Sequence, residues 1–557
     1  MPEELWLKVA EYCDNDVLAT EAVFNHLSAD WTARQILADI AGMTVNDTTN
    51  SLTTRIIFDQ VRKPQSEFNY RDLSQPVHEL KQEILDFLKK ADPDMMSQLH
   101  GEEESLLPYF PGYTFDKGIS TYRGEEVGEG GYVYAEPGMH GNVALLDIAS
   151  MHPHSVIAEC LFGPRFTARF KEIVDGRVSI KHKAWEDVND ILDGKLVPYI
   201  QKVKNGDMTA KDLANALKTA INSVYGLTSA AFENAFRDPR NKDNIVAKRG
   251  ALFMIDLKNE VQKRGYRVAH IKTDSIKIPD ADADIIQFVM EYGKRYGYTF
   301  EHEATYDKMC LVNDAVYIAK YDTPEACMAK YHYIPGEIKD HANQWTATGK
   351  QFAVPYVFKK LFSHEPILFS DLCETFSVSG ALYLDMNENL PDVSAAEKEL
   401  QKLLKEAELT YEDLMDFNAG GRLPERCDNA TFVMELKRLE NEISKGHDYR
   451  FIGRVGQFTP IKAGRGGGIL LREAGGRYSA ATGSKGYRWI ESEAINATKA
   501  ITGRDELFFT EEDIDKGYYD KLVDDAKDTI KKYGDFEWFV SEDRYDIPPE
   551  GDAHDGV

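Results

Sequence analysis

Near residue 105 the sequence changes texture, and that change restricts the chain to a mixed α+β fold. Ahead of it apolar residues recur at helical spacing, as at Leu5, Val9, Cys13, Val17 and Phe24 in LWLKVAEYCDNDVLATEAVFNHL. Residues 31–100 keep a mostly helical pattern, interrupted at NDTTNS and at turns marked by Pro64 and Pro76. From Tyr109 to Gly141 glycine, tyrosine and proline dominate, which predicts turns and short strands leading into the apolar run Val143–Ile148.

At 557 residues the chain exceeds what one hydrophobic core serves and predicts three to four modules. The formal charge, 66 basic minus 93 acidic residues or −27, argues against a surface coated with nucleic-acid-binding charge but leaves room for a local basic channel. Six scattered cysteines without a CxxC pair suit reduced thiols. No apolar run approaches the ~20 residues of a membrane span, and the start MPEELWLKVAEY lacks signal-peptide order. The expectation is a soluble, cytoplasmic chain.

Two helical stretches between Cys160 and Tyr225 meet at NGDMT (205–209), which predicts an antiparallel pair whose second helix is capped by Thr209. A further helix is expected over Lys248 to Lys263, and YRVAHIKTDSIKIP reads as a tight hairpin. Helical patterns recur around 395–417 and 430–445. The Gly-rich stretch 449–488 then carries Arg450, Arg454, Lys462, Arg465, Arg472, Arg477, Lys485 and Arg488 against the single acid Glu473, an excess of seven positive charges. The end, PPEGDAHDGV, reads as a frayed acidic tail.

Three segments carry the candidate chemistry. In LLDIASMHP an apolar strand delivers Asp147 to its end; alone, this is an ordinary strand-capping aspartate. In KTAINSVYG, Lys218, Asn222 and Tyr225 are four and three apart and share a helical face; alone, this is an amphipathic helix with a solvated lysine. IKTDS puts Asp274 at a hairpin tip, where aspartate is common.

Taken in order, DIASMHP (147–153), KTAINSVYG (218–226) and KTDS (272–275) resemble the three signatures of family B DNA polymerases, D-x-x-S-L-Y-P, K-x-x-x-N-S-x-Y-G and D-T-D-S, and within that family those of bacterial viruses. The resemblance implies a right-hand architecture with palm, helical fingers and thumb. It implies two magnesium ions, with manganese as substitute, held by Asp147, Asp274 and the Ile148 carbonyl. The amides of Ala149 and Ser150 would lie near the triphosphate, Lys218 would neutralise its charge with Lys211 assisting, and Asn222 and Tyr225 would line the nascent base pair. The partners implied are primer–template DNA and deoxynucleoside triphosphates. Two departures stand out. Lys272 replaces the first aspartate of the third signature, and His152 replaces the tyrosine that screens the sugar.

Weaker matches extend the resemblance. YCDND, with Tyr12 and Asp16, is similar to the last motif of the family's 3′→5′ exonuclease, and with no chain before it residues 1–28 are expected to be the closing helix of an exonuclease whose body is absent or supplied by a separate polypeptide. GEGGYV, with Gly130 and Gly131, resembles the link to the palm, and Tyr317 in VNDAVYIAKY fits a primer-holding element whose lysine is here Ala315. Thr273, Tyr317 and the glycines are DNA-contact candidates, as are Arg454, Lys462, Arg465, Arg472, Lys485 and Arg488, which would grip phosphates without reading sequence. The expected divisions are 1–28, a helical linker region at 29–104, palm at 105–163 and 236–340, fingers at 164–235, and a thumb with DNA-binding region at 341–557. The competing readings are a two-metal nuclease, which has no use for the Lys218 face, and a catalytically degenerate DNA-binding remnant, suggested by Lys272 and His152.

Overall fold

The apolar run 143–148 becomes the centre of a sheet because both of its faces are covered: Val143, Leu146 and Ile148 are 0–1% exposed. Burying one such side chain contributes about 1.5–3 kcal/mol, so this strand is a fixed platform. The computed structural model describes residues 6–99, 105–427, 429–481, 483, 486–495 and 509–545. Among them the chain is mixed α+β with antiparallel sheet pairings, and it divides into two units. The first comprises Met1–Asp314, Ala319–Asn343 and Arg544–Val557, and the second Ala315–Ile318 with Gln344–Asp543.

In the first unit, α1 (Trp6–His26), α2 (Ser28–Ala41), α3 (Thr49–Phe58), α4 (Gln82–Ala91) and α5 (Pro93–Leu99) precede the strands. The apolar stripe expected of α1 is not buried: Val17 is 66% and Phe24 48% exposed. The helical reading of 31–100 is interrupted more widely than expected, since residues 59–81 hold only a short 3-10 turn, Pro64–Glu67. Small strands β1 (Thr114–Asp116), β2 (Ile119–Tyr122) and β3 (Glu125–Glu126) form a meander. Then come β4 (Val133–Ala135), β5 (Gly138–Ile148), α6 (Met151–Ala158), α7 (Gly163–Lys181), α8 (Val197–Asn205), α9 (Ala210–Ser229) and α10 (Ile245–Lys263). The hairpin β6 (His270–Lys272) and β7 (Ser275–Ile278), α11 (Ala283–Lys294), β8 (Phe300–Asn313), β9 (Val316–Tyr321), α12 (Pro324–Tyr331) and α13 (Ile338–His341) complete the order. The main sheet runs β9-β8-β5-β7-β6-β4.

The expected helical pair is in fact three helices. The first stretch breaks after Lys181 into two 3-10 turns, with Leu192 and Asp193 in left-handed conformation, before α8 resumes. The turn lies where expected: Gly206 ends α8, and Thr209 caps α9 in a reciprocal capping box with Asp212. α9 buries Leu213, Leu217, Ile221 and Val224 and packs on α7, which leaves Lys211, Lys218 and Asn222 exposed together. Phe58 of α3 packs against Phe166 of α7 and against Phe236, with ring centroids 5.0 and 4.6 Å apart. α6 and α10 approach so closely that a Cβ on Gly250 would fall 2.3 Å from the Met151 sulfur.

The second unit has β10 (Trp345–Thr348), α14 (Lys350–Ala353), α15 (Pro355–Phe358), β11 (Glu374–Asp385), α16 (Ser394–Glu406), α17 (Tyr411–Asn418) and α18 (Ala430–Ile443). The Gly-rich stretch, read from sequence only as a basic surface, is strand: β12 (Tyr449–Ile461), β13 (Gly468–Ala474), β14 (Arg477–Ala480) and β15 (Arg488–Glu491), in a sheet ordered β11-β12-β15-β13-β14. Its glycines cluster at turns, which is why period-two alternation was hard to see. Helix α19 (Lys516–Lys531) follows. Among the described residues no helix is long and apolar enough to cross a membrane.

Candidate active site

Asp147 lies one residue before the end of β5, paired in register with Ser275 on β7 and Glu301 on β8. Asp274 follows Thr273 in the two-residue loop between β6 and β7, and its carbonyl accepts the Ile148 N–H at 3.0 Å. This bond ties the hairpin tip to the end of β5. Thr273 is held at φ +57°, a strained conformation for a β-branched residue. Two contacts hold it: its N–H donates to the Tyr132 carbonyl at 2.9 Å, and Gly131 at φ +136° packs so close that a Cβ there would meet Thr273 Cγ2 at 3.1 Å. Gly131 thus supports the loop carrying Asp274, while Gly130 is exposed beside it.

The electrostatics of this corner are unfavourable without a ligand. Burial, then the charges of Asp274, Glu303 and Glu301 against the pull of Lys277, push Asp147 up to about 8. Asp274 is raised too, chiefly by burial, with His152 and Lys277 acting against the rise. Among the described residues neither carboxylate is hydrogen-bonded to or ion-paired with another side chain. No group of three or more His, Cys, Asp or Glu side chains is placed to hold a metal among those residues. A cation here would therefore rest on the two aspartates, backbone oxygen and substrate. Carboxylates raised by burial and offset only in part by Lys277 fit a hard divalent ion of this kind.

The helices complete the site. His152 on α6 stacks on Tyr225 of α9, ring centroids 4.3 Å apart and planes within 8°. Its Nε2 is buried without a hydrogen-bond partner among the described residues, and burial lowers its pKa while Asp274 opposes this. Asn244 donates to the Tyr225 hydroxyl at 3.4 Å. The structure therefore gathers Asp147, Ile148, His152, Tyr225, Thr273 and Asp274, with Lys218 and Asn222 exposed on the helix that carries Tyr225.

Several expectations require correction. The Ala149 amide donates to the Thr299 carbonyl at 2.9 Å, so it is not available to a phosphate. Ser150 is in left-handed conformation at the start of α6. Its hydroxyl lies 3.5 Å from Nη1 of Arg177, a half-buried α7 residue with no carboxylate paired to it among the described residues. Burial lowers the Arg177 pKa. Sequence reasoning missed Arg177, which looks like any solvated helix arginine. It also missed Lys277, 4% exposed on β7 and brought down to about 8 mainly by burial. Glu301 and Glu303 were missed as well; they follow Asp147 only through strand register, which sequence did not reveal.

The candidate DNA contacts divide unevenly. In the second unit Arg465 pairs with Asp513 at 2.7 Å, and Lys462 donates to the Glu512 carbonyl at 2.5 Å. Arg488, 13% exposed, donates to the Gly466 and Gly467 carbonyls, so its donors brace a turn and are not offered to phosphate. Arg454 and Arg472 are exposed and have no acidic partner among the described residues. Tyr317 is half-buried on β9. Lys485 and the Tyr12 side chain lie outside the described residues, while Asp16 is exposed on α1.

No protein-family description matches this chain, and no curated protein matches it. Among solved structures it is similar to the family B DNA polymerase from the hyperthermophilic archaeon Pyrobaculum calidifontis, with a TM-score of 0.34 and 14% identity. The alignment covers 95% of this chain and 57% of that one, so this chain spans little more than half of its length.

Proposed function

We propose that this chain is a DNA-templated DNA polymerase that adds deoxynucleotides to a primer 3′ end. The observation that carries the proposal is the pair of half-buried carboxylates, Asp147 near the end of β5 and Asp274 in the β6–β7 loop tied to it, with His152 near Asp274 stacked on Tyr225 of the helix that exposes Lys218. Asp147 and Asp274 would hold two magnesium ions. Such ions, when bound, acidify the primer hydroxyl and stabilise charge on the phosphorus and the leaving pyrophosphate.

The chain's own groups do the rest. Lys218 and Lys211, on one exposed face of α9, offer positive charge to a triphosphate as negative charge moves to the leaving group. Arg177, with its guanidinium near Ser150, adds to that charge. Asn222 and Tyr225 wall the nascent base pair, and the His152 ring lies flat on Tyr225 where it can screen the sugar. Arg454 and Arg472 would contact duplex phosphates without reading sequence. Lys272, exposed at the end of β6, holds no metal.

Primer extension on a primed template tests the reading. The parent chain with magnesium should add nucleotides, and Asp274→Asn should bind the same DNA without extending it. A parent that cuts DNA in an Asp274-dependent way, or that does neither, would replace the polymerase reading with a nuclease or a binding remnant.

A further inference from the structure

Lys277 is a buried lysine on a strand whose neighbours carry the candidate metal ligands. Its register partners are Leu145 of β5 and His270 of β6, and the register partner of Asp147 is Ser275, two residues before Lys277 on β7. Side chains two apart in a strand share a face, so Lys277, Ser275, Asp147 and His270 all lie on one side of the sheet. Glu301 of β8, paired with Asp147, belongs to that side as well. The opposite side carries Leu146, Ile276 and Ile278, each fully buried.

The lysine is fixed from β6. His270 Nε2 faces the Asp314 carbonyl at 3.1 Å, and a carbonyl can only accept, so Nε2 carries the ring proton. The ring is buried and stays neutral, pushed down to about 4 by burial and by the charge of Lys277. Its Nδ1 therefore presents a lone pair, to which Lys277 Nζ donates at 3.3 Å. Anchored there, Lys277 acts on the acids in front of it: it opposes the rise of Asp147, Asp274 and Glu303 alike. The same three carboxyls support the charge on Lys277 against its burial. Burying an ammonium group is costly unless it is paired or hydrogen-bonded, and here both a ring nitrogen and an acidic cluster meet it.

We propose that Lys277 is a positioning residue for metal, a resident cation held by His270 that lowers the affinity of the Asp147, Asp274 and Glu303 cluster for divalent ions until a triphosphate adds its own negative charge. The inference rests on the polymerase reading for the identity of the metal ligands. A doubly charged ion is repelled twice as strongly as a proton at the same place, so removing Lys277 favours metal over protons on these carboxyls.

The test is manganese binding to the full chain without DNA or nucleotide, read from the electron paramagnetic resonance signal of the free ion. Lys277→Met keeps an unbranched side chain without the charge and should bind manganese about tenfold more tightly than the parent. Lys277→Gln, which keeps a donor for His270, should show the same gain and decides the matter if the Met variant does not fold. Lys277→Arg keeps the charge and should stay within about twofold of the parent. Adding Asp147→Asn to Lys277→Met should remove the gain. Unchanged or weaker binding in the neutral variants, or an equal gain in Lys277→Arg, would overturn the assignment, because a merely structural lysine cannot tighten metal binding when it is lost. A gain in the neutral variants with no primer extension by the parent would sink the polymerase reading and leave Lys277 standing. Extension by a parent whose manganese affinity ignores Lys277 would do the reverse.

Discussion

On the sheet of the first unit, Asp147 and Asp274 stand on neighbouring elements with no basic side chain bonded to either among the described residues, and burial holds both above the usual carboxylate range. On the sheet of the second unit, Arg450 ends on Glu491 and Arg465 on Asp513, and Arg488 braces two backbone carbonyls. The first arrangement stores electrostatic cost that a ligand can relieve, and the second has already discharged most of its charge internally. A run of like charges in sequence is therefore a poorer guide to function than two acids whose burial the fold offsets only in part, through Lys277. The seven-charge excess of 449–488 falls to a few exposed groups once partners outside the stretch are paired with it.

The comparison is most exposed to failure at the aspartates. Asp147→Asn should lower primer extension by about a thousandfold or more, the scale expected when metal ligation is lost, while the thermal midpoint of the metal-free protein stays level or rises. A simultaneous collapse of fold and activity would make Asp147 structural. Lys218→Ala should cost about a hundredfold in extension rate with no loss of stability, because the side chain is exposed. Rates within threefold of the parent would separate α9 from the chemistry. His152→Ala should raise ribonucleotide use relative to deoxynucleotide by about tenfold, measured by competition on one template. An unchanged ratio would remove His152 from sugar selection.

In the second unit, replacing Arg454 and Arg472 together by alanine should reduce the slope of log affinity against log salt by about 2. Arg465→Ala should leave that slope alone, since its guanidinium already serves Asp513. Equal slopes in all three proteins would make the whole stretch structural.

A separate expected effect is in the pH dependence of the metal-free fold. Asp147 titrates near 3.8 when unfolded and is pushed up to about 8 when folded. Between those values the unfolded chain has released a proton that the folded chain keeps, so the contribution is fullest below about 3.8 and is lost as pH rises toward 8. Melting curves from pH 5 to 8 should therefore fall less steeply for Asp147→Asn than for the parent, and parallel curves would contradict the coupling.

Legibility in the sequence followed the range of the interactions. Thr209 as a cap, the Lys218/Asn222/Tyr225 face and the hairpin around Asp274 depend on neighbours within one or two turns, and they stand in the structure where the residues suggested. The break after Lys181 was hidden because the apolar pattern continues through a segment whose Leu192 and Asp193 adopt left-handed geometry. Glu301, Glu303 and Arg177 reach the site through strand register and helix packing across more than 25 residues, information that local spacing does not contain. The strands of 449–488 were masked by glycines that serve turns and close contacts, such as Gly456 beneath the Phe458 ring.

The central claim is that Asp147 and Asp274 jointly hold divalent cations. It is tested most directly by counting manganese ions bound, by electron paramagnetic resonance, in complexes of the full chain with a dideoxy-terminated primer–template and the next deoxynucleotide. The account predicts two tightly bound ions per complex in the parent, and loss of at least one in Asp147→Asn and in Asp274→Asn at unchanged DNA affinity. The same ion count in parent and both variants would contradict it.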